Sequence, residues 1–136
     1  MKKIFLALML LFVFAGCSSI STNKTAETLV GKEYVLSTST DNVKITISFA
    51  EENFFGFSGV NNYFGKYTVS GNNIKLSHVG STLMAGPREA MEKEFEYTSA
   101  LDKVETYKLD KNTLILTTST GQQLIFIQSE KPELKK

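Results

Sequence analysis

Val43-Lys44-Ile45-Thr46-Ile47-Ser48-Phe49 alternates apolar and polar residues without a break. A period of two puts one set of side chains on a single face, and that face must be buried against other strands or a helix. The pattern recurs. Glu51-Glu52-Asn53 turns the chain into Phe54–Phe57, and Tyr63, Gly65, Tyr67 and Val69 alternate next. Ser70-Gly71-Asn72-Asn73 is a hairpin signal leading to Ile74 and Leu76. Tyr107 and Leu109 precede the turn Asp110-Lys111-Asn112, and Ser119-Thr120-Gly121 joins Leu114–Leu116 to Leu124–Ile127. Consecutive hairpins with short turns predict an antiparallel arrangement. The expected class is α+β: a curved antiparallel sheet or partly closed small β-barrel of about eight strands, with one packed helix.

The helix is expected over about residues 87–103. Pro87 suits its first position, and Glu89 suits the positive end of its dipole. At about 100° per residue, Met91, Phe95, Thr98, Leu101, Ala90 and Tyr97 share an arc, with Glu89, Glu92, Glu96 and Lys103 opposite. The arc predicts the face that packs on the sheet. Glu94 interrupts it, near its centre. A carboxylate there needs hydrogen bonds, because burying it unpaired is costly. The favoured reading is a structural acid bracing a nearby loop, with Ser81-Thr82 as the expected donor. The competing reading is an acid facing a ligand.

The first residues describe export. Lys2 and Lys3 precede a run of twelve uncharged residues, Ile4–Ala15, too short for a spanning helix of roughly 20. Phe14-Ala15-Gly16-Cys17 resembles the lipobox of bacterial lipoproteins, with Phe14 where Leu is commonest. The resemblance implies cleavage before Cys17 and lipid attachment to it. Cys17 is the chain's one cysteine, so no internal disulfide forms. Several acyl chains, at ~0.8 kcal/mol per buried CH₂, hold a protein on a membrane surface without spanning it. Ser18 follows in place of the Asp that favours inner-membrane retention, so the outer membrane is the expected site. Removing residues 1–16 from the 136 leaves 120, one domain's worth of chain. The expected organisation is signal peptide 1–16, flexible tether 17–28, domain 29–128 and polar tail 129–136. The tether's random-coil reach is roughly 17 Å.

Three segments resemble the META domain of the HslJ type of bacterial heat-shock lipoprotein. Gly31-Lys32-Glu33-Tyr34-Val35-Leu36 is similar to its opening strand. Gly59-Val60-Asn61-Asn62-Tyr63-Phe64-Gly65-Lys66-Tyr67 is similar to its central motif. Ser81-Thr82-Leu83-Met84-Ala85-Gly86, followed by Met91, Glu94 and Phe95, is similar to its third motif and helix. The resemblance implies a curved sheet or barrel with a packed helix, residence in the cell envelope, and an association with stress. It implies no reaction. Relatives often carry cysteines where this chain has Val60 and Gly86, a pair suited to a disulfide, and Arg where it has Leu83.

Little in the chain points to catalysis. His78 is the only histidine, so the usual zinc ligand sets and a nucleophile–histidine pair lack their parts. No metal and no cofactor are expected. Losing Lys2 and Lys3 takes the 15 basic residues to 13 against 14 acids, which leaves no basic footprint for nucleic acid. Aromatics give the better lead. Phe54, Phe55, Phe57, Tyr63 and Phe64 surround Gly59–Asn62, and alternation cannot bury all of them on one face. Either both sides of these strands are covered, the favoured reading, or some aromatics line a binding groove. The expected function is a non-enzymatic, lipid-anchored envelope module that binds another envelope protein through Asn61, Asn62, Tyr63 and Phe64. The alternative is a carrier of a small apolar ligand in the barrel interior, disfavoured because Phe and Tyr fill small barrels.

Overall fold

The structure, a computed structural model, describes residues 29–130. The expected signal peptide, the tether with Cys17 and the residues after Glu130 lie outside the described part. Eight strands form in chain order: β1 Glu33–Leu36, β2 Thr46–Phe49, β3 Asn53–Phe57, β4 Asn62–Ser70, β5 Asn73–Ser81, β6 Val104–Asp110, β7 Thr113–Thr118 and β8 Gln123–Gln128. Every neighbouring pair is antiparallel, and β8 returns to β1, so the barrel closes. Closure removes the free edges an open sheet would expose. The sheet anticipated as curved or partly closed is therefore a full barrel.

The turns sit where their chemistry demands. Gly71 (φ 60°), Lys111 (φ 54°) and Gly121 (φ 86°) take the left-handed conformation that tight hairpins require. Alternation fixes which side chains fill the interior. In β4 Tyr63, Gly65 and Tyr67 point inward, and in β8 Leu124 and Phe126 do so. Gly65 is small because the Phe54 ring passes over it; a Cβ there would lie 2.5 Å from Phe54 Cζ. Phe49 packs edge-on against Tyr34 and Tyr67, with ring centroids 6.4 and 5.1 Å apart. Tyr97 does the same with Tyr63 and Phe126, at 5.7 and 6.3 Å. These rings, with Leu114 and Leu116, occupy the barrel's centre.

The helix α1 spans Arg88–Leu101, slightly shorter than anticipated, with Pro87 just before it and Asp102 closing it. It lies across the barrel end formed by the starts of β2, β4 and β8, where the Tyr97 ring enters the interior. The other end is stopped by Leu29, which is fully buried, and by Val30, which bridges to Phe49. The two poles thus differ: one carries the helix, the other the entry of the chain.

The face the helix buries differs from the hydrophobic arc. Ala90, Tyr97, Ala100 and Leu101 are buried, whereas Met91 is 38% and Phe95 72% exposed. Two polar anchors set this rotation. The Tyr97 hydroxyl reaches Tyr63 Oη at 2.6 Å, and Tyr63 Oη donates to the Thr46 carbonyl at 2.7 Å. One turn earlier, Glu94 grips the turn between β3 and β4. Satisfying those groups outweighs burying Met91 and Phe95, which hydrophobicity alone would have turned inward.

Candidate interaction site

The site begins with a turn that only its own sequence can make. Gly59 adopts φ +117°, and Ser58 and Asn61 on either side fold inward, 1% and 4% exposed. The turn leaves backbone donors facing the helix. Glu94 takes them: Oε2 accepts from Asn61 N at 2.7 Å, Val60 N at 3.1 Å and Ser58 Oγ at 2.6 Å. Oε1 accepts from Asn61 Nδ2 at 2.7 Å. Partial burial pushes the Glu94 carboxyl up, but the hydrogen bonds from Ser58, Asn61 and Val60 together outweigh that and hold it below the usual glutamate value.

Asn61 extends the grip to a third segment. Its Oδ1 accepts from Met84 N at 2.6 Å and Thr82 Oγ1 at 2.9 Å, while Nδ2 also donates to the Met84 carbonyl at 3.2 Å. Two donors and two acceptor positions are the full capacity of a carboxamide, so the side chain has none left for a ligand. Asn62 completes the connection through its backbone, donating to Thr82 Oγ1 and accepting from Thr82 N. The donors to Glu94 are thus Ser58, Val60 and Asn61 rather than Ser81-Thr82; Thr82 is reached one step later, through Asn61.

Of the four residues expected at the interaction surface, Asn61 and Tyr63 are turned inward, and Tyr63 is 1% exposed. Asn62 and Phe64 remain outward. Phe64 stands opposite Phe55 across β3 and β4, and its ring covers Gly80, where a Cβ would lie 3.1 Å from Phe64 Cζ. The aromatic cluster thus divides, Phe54 and Tyr63 inside and Phe55 and Phe64 outside. The side chain of His78 is not among those described, and Cys17 lies outside the described residues.

The structure adds four exposed residues to those expected at the interaction surface. Leu83 and Met84, on the loop held by Asn61, and Met91 and Phe95, flanking Glu94 on the helix, are all exposed. The signal that could have found them is the spacing Ala90, Glu94, Tyr97, Leu101, which traces a better buried stripe once Glu94 is allowed polar partners. Gly86 lets this loop press against the turn: a Cβ on it would stand 2.8 Å from Val60 Cγ2 and 3.5 Å from Val60 Cβ. A separate cleft of about 350 Å³ opens beside the helix, between Leu36, Val43, Ile45, Tyr97, Leu124 and the Lys93 stem. Among the described residues no three His, Cys, Asp or Glu side chains gather in a way that could hold a metal, and no helix is long and apolar enough to cross a membrane.

A closed antiparallel barrel with one pole crossed by a helix, locked there through an Asn–Glu pair, defines the class of this protein. The chain belongs to the META domain family, which it matches over residues 25–131. No functionally curated protein shows a significant match to it. Among solved structures it is similar to a protein from Burkholderia xenovorans, at 21% identity and TM-score 0.68, over 79% of this chain and 88% of that one. It is also similar to a DUF4847 family protein from Bacteroides vulgatus, at 19% identity and TM-score 0.51, over 65% and 61% of the two chains. At these identities the likeness concerns the fold alone.

Proposed function

We propose that this chain is a non-enzymatic, lipid-anchored module of the bacterial cell envelope, associated with stress, that engages another polypeptide through its helix-bearing pole. One observation carries the reading. Leu83, Met84 and Phe95, at 96%, 64% and 72% exposed, lie with Met91 on the loop and the helix that Asn61 and Glu94 join. Fully burying such side chains is worth roughly 1.5–3 kcal/mol each, so a partner that covers them gains affinity where little conformational freedom remains to be lost. Methionines suit such a surface because their unbranched stems adapt to different shapes. On the helix Glu92 pairs with Arg88 at 2.9 Å and Glu89 with Lys93 at 3.3 Å, and Glu94 is held by the turn, so the partner segment this face favours is chiefly apolar.

The lipid-anchor reading rests on the Cys17 motif. Leu29, where the described residues begin, lies at the pole opposite the apolar face. The carrier alternative has one observation in its favour, the 350 Å³ cleft with its apolar wall; the barrel interior itself is filled by Tyr34, Phe49, Phe54 and Phe126. Native mass spectrometry of source-purified protein with reproducible bound lipid would favour it.

Affinity capture from envelope extracts, comparing the natural chain with Phe95→Glu, tests the main reading. A partner retained by the natural chain and lost with the variant is expected. Equal retention by both contradicts the assignment of this face. Cys17→Ala is expected to leave the membrane fraction, and its persistence there contradicts the anchor.

A further inference from the structure

The chain puts its thioethers on the exposed face and keeps them out of the core. Of its four methionines, Met1 and Met9 fall in the expected signal peptide, which leaves Met84 and Met91. Met84 is 64% and Met91 38% exposed. Methionine fills core gaps readily, yet the barrel's core is built of Leu, Ile, Val, Ala, Phe and Tyr alone. Other oxidisable groups are sparse. No tryptophan is present, the one cysteine, Cys17, lies outside the described residues, and all five tyrosines are buried.

Both methionines are fixed through their main chains. Met84 N donates to Asn61 Oδ1 at 2.6 Å, and its carbonyl accepts from Asn61 Nδ2 at 3.2 Å. Met91 N donates to the Pro87 carbonyl at 3.0 Å, in the first turn of α1. The loop and the helix are therefore held by backbone atoms of these residues, and a change at either sulfur leaves those bonds in place.

The lone pair of a thioether sulfur attacks one oxygen of hydrogen peroxide. The S–O bond forms as the O–O bond breaks, the departing hydroxide takes the proton of the transferred oxygen, and water leaves. Sulfur loses two electrons and the peroxide gains them. The resulting sulfoxide is polar and accepts hydrogen bonds, so burying it against an apolar surface is costly. Two thiols reverse the change: they become a disulfide, and the oxygen leaves as water.

We propose that Met84 and Met91 are modification sites at which peroxide forms sulfoxides, turning this face from apolar to polar and releasing its partner while the barrel stays folded. The release rests on the reading of this face as a docking surface; the modification does not.

The mature full-length chain, treated with hydrogen peroxide beside blocked free methionine as internal standard, tests both parts. Peptide mass spectrometry should place one added oxygen on Met84 at a rate within about threefold of the standard, with Met91 about twofold slower than Met84. The oxidised chain should melt within about 2 °C of the untreated one. The partner that the untreated chain captures from envelope extracts should be retained about tenfold less by the oxidised chain, and fully again after methionine sulfoxide reductases and dithiothreitol restore the thioethers. Either sulfur reacting more than about tenfold slower than the standard overturns the modification sites. A melting temperature lowered by more than about 5 °C shows that oxidation reaches the fold rather than the face alone, and overturns the proposal. Equal retention by treated and untreated chains overturns the release. A chain that captures nothing before treatment overturns the release together with the docking reading, while the peroxide rates decide the sites alone.

Discussion

Asn61 and Glu94 hold one another through both oxygens of the carboxylate: the Asn61 backbone N–H meets Oε2 and its side-chain amide meets Oε1, each at 2.7 Å. The pair joins the β3–β4 turn, the loop after β5 and the helix in one connection. Hydrogen bonds to a charged acceptor are shorter and stronger than neutral pairs, and each is worth about 1.5–3 kcal/mol.

Glu94→Gln keeps the shape but replaces one acceptor oxygen with a donor that faces other donors. Urea unfolding should show a loss of about 1–3 kcal/mol. Asn61→Asp should cost more at neutral pH, because it sets a second carboxylate against Glu94 and removes a donor. If Asn61→Asp proved the milder change, the brace would be misassigned.

The same pair predicts acid sensitivity. The folded Glu94 carboxyl titrates below its ordinary value of 4.5, so between those two values the unfolded chain binds more protons than the folded one. The stability this group contributes is present above 4.5 and is lost as pH falls through the depressed folded value. Chemical unfolding measured across that window should show a decline that Glu94→Gln removes. An identical decline in the variant would assign it to other carboxylates.

At the alkaline end, Tyr63 and Tyr97 titrate above the usual tyrosine value of 10.0, in each case chiefly because burial disfavours the phenolate. Their contribution is complete below 10 and is lost as pH rises through the elevated folded values, since the unfolded chain ionises first. The geometry also ranks their substitutions. Tyr63 Oη donates to the Thr46 carbonyl, so Tyr97 must be the donor between the two hydroxyls. Tyr97→Phe removes one bond, about 1 kcal/mol, whereas Tyr63→Phe strands both a carbonyl and a hydroxyl and should cost more by thermal unfolding. The reverse order would contradict this hydrogen-bond direction.

Much of this architecture is legible in the sequence because hairpins are local. The turns at 71–72, 111–112 and 119–121 announce themselves by composition, and alternation in β2, β4, β7 and β8 fixes their inner faces. The rotation of the helix is not legible in the same way. It depends on Tyr97 finding Tyr63, and on Glu94 finding Ser58 and Asn61, contacts separated by more than thirty residues. A hydrophobic arc weighs side chains and ignores hydrogen bonds, so it turned Met91 and Phe95 inward. Barrel closure, with β5 and β6 matched at the single pair Asn73↔Thr106, is likewise a long-range outcome that no local pattern encodes. The buried role of Asn61 is legible only in part: its motif stands out, but an asparagine in a loop reads equally as a surface contact.

Val60 and Gly86 give a direct test of how closely the loop and the turn are packed. Their Cβ positions would be 3.5 Å apart, at the short end of disulfide geometry. Val60→Cys with Gly86→Cys should therefore oxidise readily, and closing this loop should raise stability by about 3.5 kcal/mol on the chain-entropy estimate. Gly86→Ala alone should destabilise, because the stiff Val60 side chain has no room to move away. Failure of the double variant to crosslink under oxidising conditions would contradict the packing.

The central claim is that the Leu83–Met84–Met91–Phe95 face binds a polypeptide in the envelope. Site-specific photo-crosslinking in intact cells tests it most directly, with the photoreactive residue at Phe95 and, as control, at the exposed Lys108 on β6. One discrete crosslinked polypeptide is expected from position 95, lost when Met91→Glu is added, and none from position 108. The same yield from both positions, or no product at 95 with the protein present at its natural level, would contradict it.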